Sequence, residues 1–372
     1  MRIGVPREKK PGEARVGLTP SLVASLVARN HEVQVECGAG LAVGFSDDTY
    51  RTVGARIVDD PAETFDADLV VKVKELQASE YALPRRGGIV IGFQHFAVEP
   101  AFLDAALASG ASFIACETIA SATNVLPVLA AMSRIAGALA PQIGALALMR
   151  GLMRPAASAG QVRGAGILLG GLEGIAAAKV VIIGAGASGS AAARIASAMG
   201  ADVTVFAAST RRFEALRGSC AGRIDTAVFE ADALRALLPT THLLIGAVLV
   251  AGRTSPRLVD RAMIAAMPDG AAFVDIGIDQ RGIAETSRMS RIDDPFYLEE
   301  GVVHCCIPNL PTLVPKSATQ AYVEALAPYV IALAEHGLQA LELDAGLARG
   351  LQVHRSRIVD ERLASDAGQN RV

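Results

Sequence analysis

The sequence predicts an α/β protein made of two doubly wound parallel-sheet domains, and three observations carry that expectation. Its 372 residues span roughly two or three common single-domain lengths, so one small core is not expected. Apolar residues make up 51% and charged residues 20%, which supplies material for buried cores and excludes a predominantly disordered chain. Short β-branched runs alternate with helical patterns in two separate series, the grammar of parallel β-α-β units.

The first series opens with a strand at Ile3 to Val5, a helix from about Ser21 to Arg29 and a strand at His31 to Glu36. Thr19 and Pro20 suit the N-cap and first helical position: the Thr hydroxyl accepts an orphan amide, and Pro has no amide to leave unpaired. Further strands are expected at Asp68 to Val73, Gly88 to Phe93 and Ser112 to Cys116, since such continuously apolar runs suit burial on both faces. The Ala/Leu-rich stretch Met132 to Met153 reads as a helix connecting the domains, kinked or interrupted at Pro141. After a Gly-rich patch at 164–178, the second series places strands at Lys179 to Ile183 and near Asp202 to Phe206, His242 to Val248 and Ala272 to Ile276. From about Ser317 the pattern is helical again, and the polar end, Asp366 to Val372, is expected to fray.

Composition narrows function. The 35 basic and 38 acidic residues leave a net charge of −3, so no global basic field recruits nucleic acid or an anionic membrane. The longest apolar runs fall short of the ~20 residues that cross a bilayer. The N-terminus is charged and Pro/Gly-punctuated where a signal peptide needs an apolar core, so a cytosolic protein without a membrane partner is expected. Cys37, Cys116, Cys220, Cys305 and Cys306 form no C-x-x-C pair, so neither disulfides nor a metal site are expected, and Cys305 and Cys306 read as small buried residues.

The strongest local signal is G-x-G-x-x-G at Gly184, Gly186 and Gly189, between a strand and an Ala-rich helix. The first glycine permits a tight turn, the second admits a pyrophosphate and the third lets helix meet strand, so a dinucleotide is expected; the alternative is a turn needed only for packing. A following strand that serves NAD normally ends in an acid for the ribose hydroxyls. Here the strand ends at Ala207, followed by Ala208, Ser209, Thr210, Arg211 and Arg212. With no carboxylate to repel a 2′-phosphate and two guanidiniums at hand, NADP(H) is expected in preference to NAD(H), unless both arginines are simply solvated. Lys72, Lys74 and His95 follow apolar runs, as does Asp279 in the second series. These are carboxyl strand ends, where open α/β sheets bind ligands. A 2-oxo acid needs there a cation for its carboxylate, a donor to its carbonyl and an acid/base group.

With these residues in place, the chain resembles the alanine dehydrogenase family, related to the NAD(P) transhydrogenase alpha subunit. The resemblance runs over nearly the whole chain: R-I-G-V-P-R-E-x-K with R-V-G-L-T-P, A-D-L-V-V-K-V-K-E, the His95 turn, M-S-x-I-A-G with P-Q-I-G-A, G-A-G-x-x-G, I-G-A-V-L-V, V-D-I-G-I-D-Q and N-L-P-x-x-V-P-K. It implies a Rossmann dinucleotide domain, 128–312, inserted into a discontinuous substrate domain, 1–127 and the C-terminal helices of 313–372, with the active site in the cleft between them. It also implies a homo-oligomeric, NAD(P)-dependent amino-acid dehydrogenase. Such an enzyme interconverts an L-2-amino acid, alanine by default, and its 2-oxo acid plus ammonia. Carried over residue by residue, the resemblance gives Arg15 the substrate carboxylate by a bidentate fork, Lys74 the carbonyl or carbinol oxygen, and His95 and Asp279 the acid/base work. Asn309 lies near nicotinamide and substrate, while Ser133 and the backbone of Val248 and Leu249 contact cofactor. Taken singly, Arg15 also fits a surface arginine, Lys74 a solvent lysine, His95 a loop histidine and Asp279 a helix cap.

Some positions depart from the family. M-S-E-x-A-G-R reads Met132-Ser133-Arg134-Ile135-Ala136-Gly137-Ala138, N-M-P reads Asn309-Leu310-Pro311, and Leu76 replaces a proline. The substrate pair therefore stays open, and Arg134 either meets a second anionic group or faces solvent. Two other functions stand beside the dehydrogenase: a transhydrogenase-like hydride-transfer subunit and a non-catalytic NADP(H)-binding protein.

Overall fold

The computed structural model describes residues 1–96, 99–150, 163–248 and 255–369. The chain forms two compact units, Met1–Met132 with Val314–Val372, and Ser133–Leu313. In chain order the described strands are β1 (Arg2–Val5), β2 (Glu32–Glu36), β3 (Arg56–Val58), β4 (Leu69–Val71), β5 (Ile89–Gly92), β6 (Ser112–Ala115), β7 (Lys179–Ile183), β8 (Asp202–Ala207), β9 (Ile224–Val228), β10 (Leu243–Gly246), β11 (Ala272–Asp275), β12 (Tyr297–Glu299), β13 (Val302–Cys305), β14 (Leu351–His354) and β15 (Arg357–Ile358).

The first unit holds a sheet ordered β15-β14-β6-β5-β4-β1-β2-β3 and the second one ordered β12-β13-β11-β10-β7-β8-β9. β1 to β6 pair in parallel, as do β7 to β11 with β13, so each sheet is wound outward in both directions from its first strand. Thr19 caps the helix Pro20–Ala28 as expected, its hydroxyl accepting from the Leu22 amide. In the second sheet Val180, Ile182, Val203 and Val205 bury one face under Ala192, Ala193 and Ala196, while Val181, Ile183 and Leu244 bury the other under Leu234 and Met263. Burial on both faces of a two-residue period is why these strands read as unbroken apolar runs.

Several elements differ from the sequence expectation. β14 and β15 form a hairpin that adds to β6 antiparallel, so the C-terminal segment is not helical throughout. The helix expected at Met132 to Met153 starts earlier, at Pro127, and continues through Pro141 to Leu148 without interruption; 151–153 lie outside the described residues. Proline removes one helical hydrogen bond, and the turn beside it is held by the Gln142 side-chain amide donating to the Ala138 carbonyl at 2.8 Å. Among the described residues this helix is long and apolar enough to cross a membrane by length and composition only, a test that core helices also pass, and half of its apolar window is buried within the protein. Gly137 lies so close to Ser188 that a β-carbon would overlap the Ser188 carbonyl oxygen.

A methyl group at Gly137 must separate this helix from Ala187–Ala198, whereas one at Gly218 meets nothing within 4 Å. Gly137→Ala is expected to cost about 1–3 kcal/mol, and Gly218→Ala to be neutral or stabilising because alanine favours helix. Calorimetric Tm values for the two variants check this contrast; equal Tm values would show that the two helices do not need the close approach.

Candidate active site

In an open parallel sheet, the loops leaving adjacent strands diverge where the winding reverses, and a crevice opens at the carboxyl ends. In the first sheet that place is between β1 and β4. The segment after β1 carries Glu8, Lys10, Glu13 and Arg15, the segment after β4 carries Lys72, Lys74 and Glu75, and His95 follows β5.

Arg15 is 1% exposed, so it is not a surface arginine. Its guanidinium fork is engaged by Glu13, with Nε donating to Oε1 at 2.7 Å and Nη2 to Oε2 at 2.5 Å, while Nη1 points at Met132 Sδ at 3.0 Å. The expected bidentate grip on a substrate carboxylate is therefore corrected in one respect: the Nε/Nη2 edge already holds a carboxylate. Burial alone would raise the Glu13 pKa, and the Arg15 hydrogen bonds and charge outweigh it and bring it down.

Lys74 is half-buried, with Nζ 5.5 Å from the centre of the Phe93 ring. Removal from water, assisted by the Arg15 charge, lowers its pKa below the ordinary lysine value. Lys72 has a different environment. It is 1% exposed and bonded to Glu80 Oε1 at 2.6 Å, with Glu8 Oε2 at 3.7 Å. Desolvation disfavours its charge, but Glu8 and Glu80 more than compensate and raise its pKa. Glu8 also accepts from the Val73 amide at 2.7 Å, fixing the chain just before Lys74. Lys72 is thus a buried structural cation, not a titratable group facing ligand.

His95 sits at φ 48°, its amide donating to Glu117 Oε1 at 2.9 Å. Its ring is stacked on Phe93 at 5.8 Å and 13°, and Nδ1 lies 2.9 Å from Glu75 Oε2. Glu75 is 4% exposed and its other oxygen takes Lys10 Nζ. Burial would raise the Glu75 pKa, but His95 and Lys10 hold it well below the usual carboxylate range.

The winding of the second sheet reverses between β7 and β10. Gly184, at φ 113°, turns the chain there, and Gly189 packs so tightly on the Gly184 carbonyl that no side chain fits. Gly186 caps the helix Ala187–Ala198, and a β-carbon there would meet nothing within 4 Å. One glycine turns, one packs and one leaves room beside helix amides, which fits a pyrophosphate. Ala207 ends β8; Ser209, Thr210, Arg211 and Arg212 are exposed beyond it. Arg212 is not merely solvated, since Nη1 donates to the Ala185 carbonyl of the glycine loop at 3.2 Å. Ser133 is half-buried, and Val248 offers its carbonyl to Ser255 Oγ at 3.3 Å; Leu249 lies outside the described residues. The exposed Asp279 accepts from the Asn309 amide at 3.1 Å, which brings these two together.

Sequence reasoning missed Glu13, Glu75 and Asp275. Glu13 lies two residues before R-V-G-L-T-P and Glu75 ends V-K-V-K-E, but nearness in sequence does not show which groups their side chains meet. Asp275 is fully buried and accepts from the amides of Gly277 and Ile283 and from Ser287 Oγ, so it clasps the loop that carries Asp279. The five cysteines are free, and no group of three or more metal-ligating side chains occurs among the described residues. Cys305 and Cys306 are buried as expected. His304, given no role from sequence, is a core residue between Thr286 and Val302, its pKa pushed by burial to about 4.

Comparison with known proteins identifies the family. Residues 4–136 match the family described as "Alanine dehydrogenase/PNT, N-terminal domain", and 155–361 match its C-terminal domain. The alanine dehydrogenase of Mycobacterium tuberculosis is 42% identical over 370 residues, covering 99% of this chain and 97% of its own. A solved L-alanine dehydrogenase superposes with TM-score 0.93 at 38% identity, covering 99% of both chains. A transhydrogenase structure from Sinorhizobium meliloti shares the fold, with TM-score 0.82 at 24% identity over 96% of this chain and 100% of its own. With both family domains matched and relatives similar along its whole length, this chain belongs to the alanine dehydrogenase/PNT family.

Proposed function

We propose that this chain interconverts an L-2-amino acid, alanine by default, and its 2-oxo acid plus ammonia, using NADP(H) in preference to NAD(H). The observation that carries the reading is the paired cation site of the first unit: Arg15 buried, Lys74 half-buried with a lowered pKa, and His95 held across the same Phe93 ring. A 2-oxo acid carries a negative charge on its carboxylate oxygens and a polarised carbonyl at the adjacent carbon, the pattern two neighbouring cations recognise.

In the reductive direction, ammonia adds to C2 and negative charge develops on the former carbonyl oxygen. Lys74 stabilises that charge, and its lowered pKa makes its proton easier to give. His95 carries the protons that must move as nitrogen replaces oxygen and water departs, with Asp279 as the acid/base group of the nucleotide-binding unit. The Nη1 edge of Arg15, beside Met132, remains the part of its fork that meets the substrate carboxylate. A nicotinamide cofactor, when bound, would supply hydride in this direction and accept it in reverse. Gly184, Gly186 and Gly189 with the amides that start Ala187–Ala198 would hold its pyrophosphate, and Ser133, Val248, Leu249 and Asn309 are the further residues assigned to cofactor contacts.

The NADP(H) preference is supported by the absence of a carboxylate at Ala207 and by Arg212, tethered to the glycine loop. We also infer a cytosolic homo-oligomer, supported by the exposed apolar residues Leu168, Leu172 and Ile175; sedimentation showing only monomer at working concentration would reject that part.

Purified protein given NADPH, pyruvate and ammonium is expected to consume NADPH only when ammonium is present, and a folded Lys74→Ala variant to lose at least ~100-fold in kcat. No turnover with any of a panel of 2-oxo acids, while nucleotide still binds, would favour the transhydrogenase-like or non-catalytic reading. In side-by-side kcat/KM measurements NADPH is expected to exceed NADH by about tenfold. That ratio should shrink in Arg211→Ala/Arg212→Ala and with added salt, because the arginines are exposed; a preference for NADH in the unmodified protein overturns the cofactor assignment.

A further inference from the structure

Glu75 has no assigned part in the chemistry above, yet it is buried and touches the imidazole directly. An ionised carboxylate only accepts hydrogen bonds, so a neutral imidazole bonded to it through Nδ1 carries its proton on Nδ1 and keeps the lone pair on Nε2. The backbone that carries the ring and one neighbouring ring are also placed. The carboxylate of Glu117 holds the backbone amides of Gln94 and His95, and Phe93 lies nearly parallel to the imidazole. Nε2 has no hydrogen-bond partner among the described residues.

We propose that Glu75 is a positioning residue for His95, fixing Nε2 as the nitrogen that exchanges protons with substrate, and that Lys10 on its second oxygen governs how much of the carboxylate's charge the ring feels. The assignment rests on the acid/base reading of His95. The charged or titratable groups around the ring are Glu75 itself, Lys10 through Glu75, Glu117 at the backbone, Lys74 across the Phe93 ring, and Tyr81, which also feels the Glu75 charge. If Glu75 were there only to neutralise Lys10, its loss would leave the ring's tautomer and titration unchanged.

The two partners act with opposite sign. Glu75→Gln keeps an acceptor for Nδ1–H but removes the negative charge that favours imidazolium, so His95 should titrate at lower pH. Lys10→Met removes a positive charge that offsets Glu75, so His95 should titrate at higher pH. Each shift is expected at about half a unit to one unit. Nitrogen-15 imidazole spectra of the full-length protein, with the His95 signal identified by its loss in His95→Asn, report both the tautomer and the midpoint without any need for turnover. The Nδ1–H tautomer with opposed shifts in the two variants is the expected result. The Nε2–H tautomer in the unmodified protein, or shifts that are absent or of the same sign, overturns the proposal. If Glu75→Gln does not fold, the tautomer and the sign of the Lys10→Met shift decide it. The limb of the kcat/KM pH profile governed by His95 should move with each midpoint; spectra as expected in a protein that turns over no 2-oxo acid would leave the positioning role standing and reject the dehydrogenase reading.

Discussion

Two positive side chains, Arg15 and Lys74, are kept close enough at the carboxyl end of β4 for each to feel the other, and the architecture of the first unit follows from making that tolerable. Two unit charges 4–8 Å apart repel by roughly 2–4 kcal/mol at an effective dielectric constant near 20. Burial adds a further cost. The protein answers with carboxylates among the basic groups: Glu13 on the Arg15 fork, Glu80 and Glu8 on Lys72, and Glu75 between Lys10 and His95. Among the described residues Lys74 has no carboxylate within ion-pair distance, whereas Arg15, Lys72 and Lys10 each have one or more. It is consequently the one whose charge is least supported, which suits it to meet an anionic substrate.

The second unit solves a different problem by steric means. Its ligand would be a pyrophosphate, already anionic, so the protein has only to present amides and stay out of the way. Gly189 and Gly137 let the Ala-rich helix Ala187–Ala198 approach the glycine turn and the helix Pro127–Leu148 within distances that any side chain would forbid. The alanines on that helix's inner face serve the same closeness. Asp275 spends a buried carboxylate on backbone amides, and the loop it closes carries Asp279 beside Asn309. Burial pushes the Asp275 pKa up despite these bonds, as expected where the bonds come from neutral donors.

Both sheets wind outward from their first strand, and the same rule opens a crevice in each: beside β1 in one, beside β7 in the other. A parallel sheet leaves its reversal point open because successive crossover connections then lie on opposite faces. Thus the cation cluster and the glycine turn occupy equivalent positions in two sheets whose local chemistry shares nothing.

The sequence by itself determined the two β-α-β series, the Thr19 cap and the glycine turn, because each is written in a local pattern: a period, a cap or a spacing; Lys74, His95 and Asp279 stood out by following apolar runs, whereas Arg15 and the roles of all four came from the family resemblance. Short, partly polar strands such as β3, β12 and β15 carry no such pattern, and they form because an edge strand's backbone finds partners in a sheet already built. Tertiary structure alone decided which charge faces which. Lys72 and Lys74 are two residues apart on the chain and look alike in sequence, yet one is enclosed by Glu8 and Glu80 and the other stands over Phe93 beside Arg15. Their partners come from the segments that follow β1, β4 and β5, and a side chain's electrostatic environment is set by distance through space, which the order of residues along a chain does not encode.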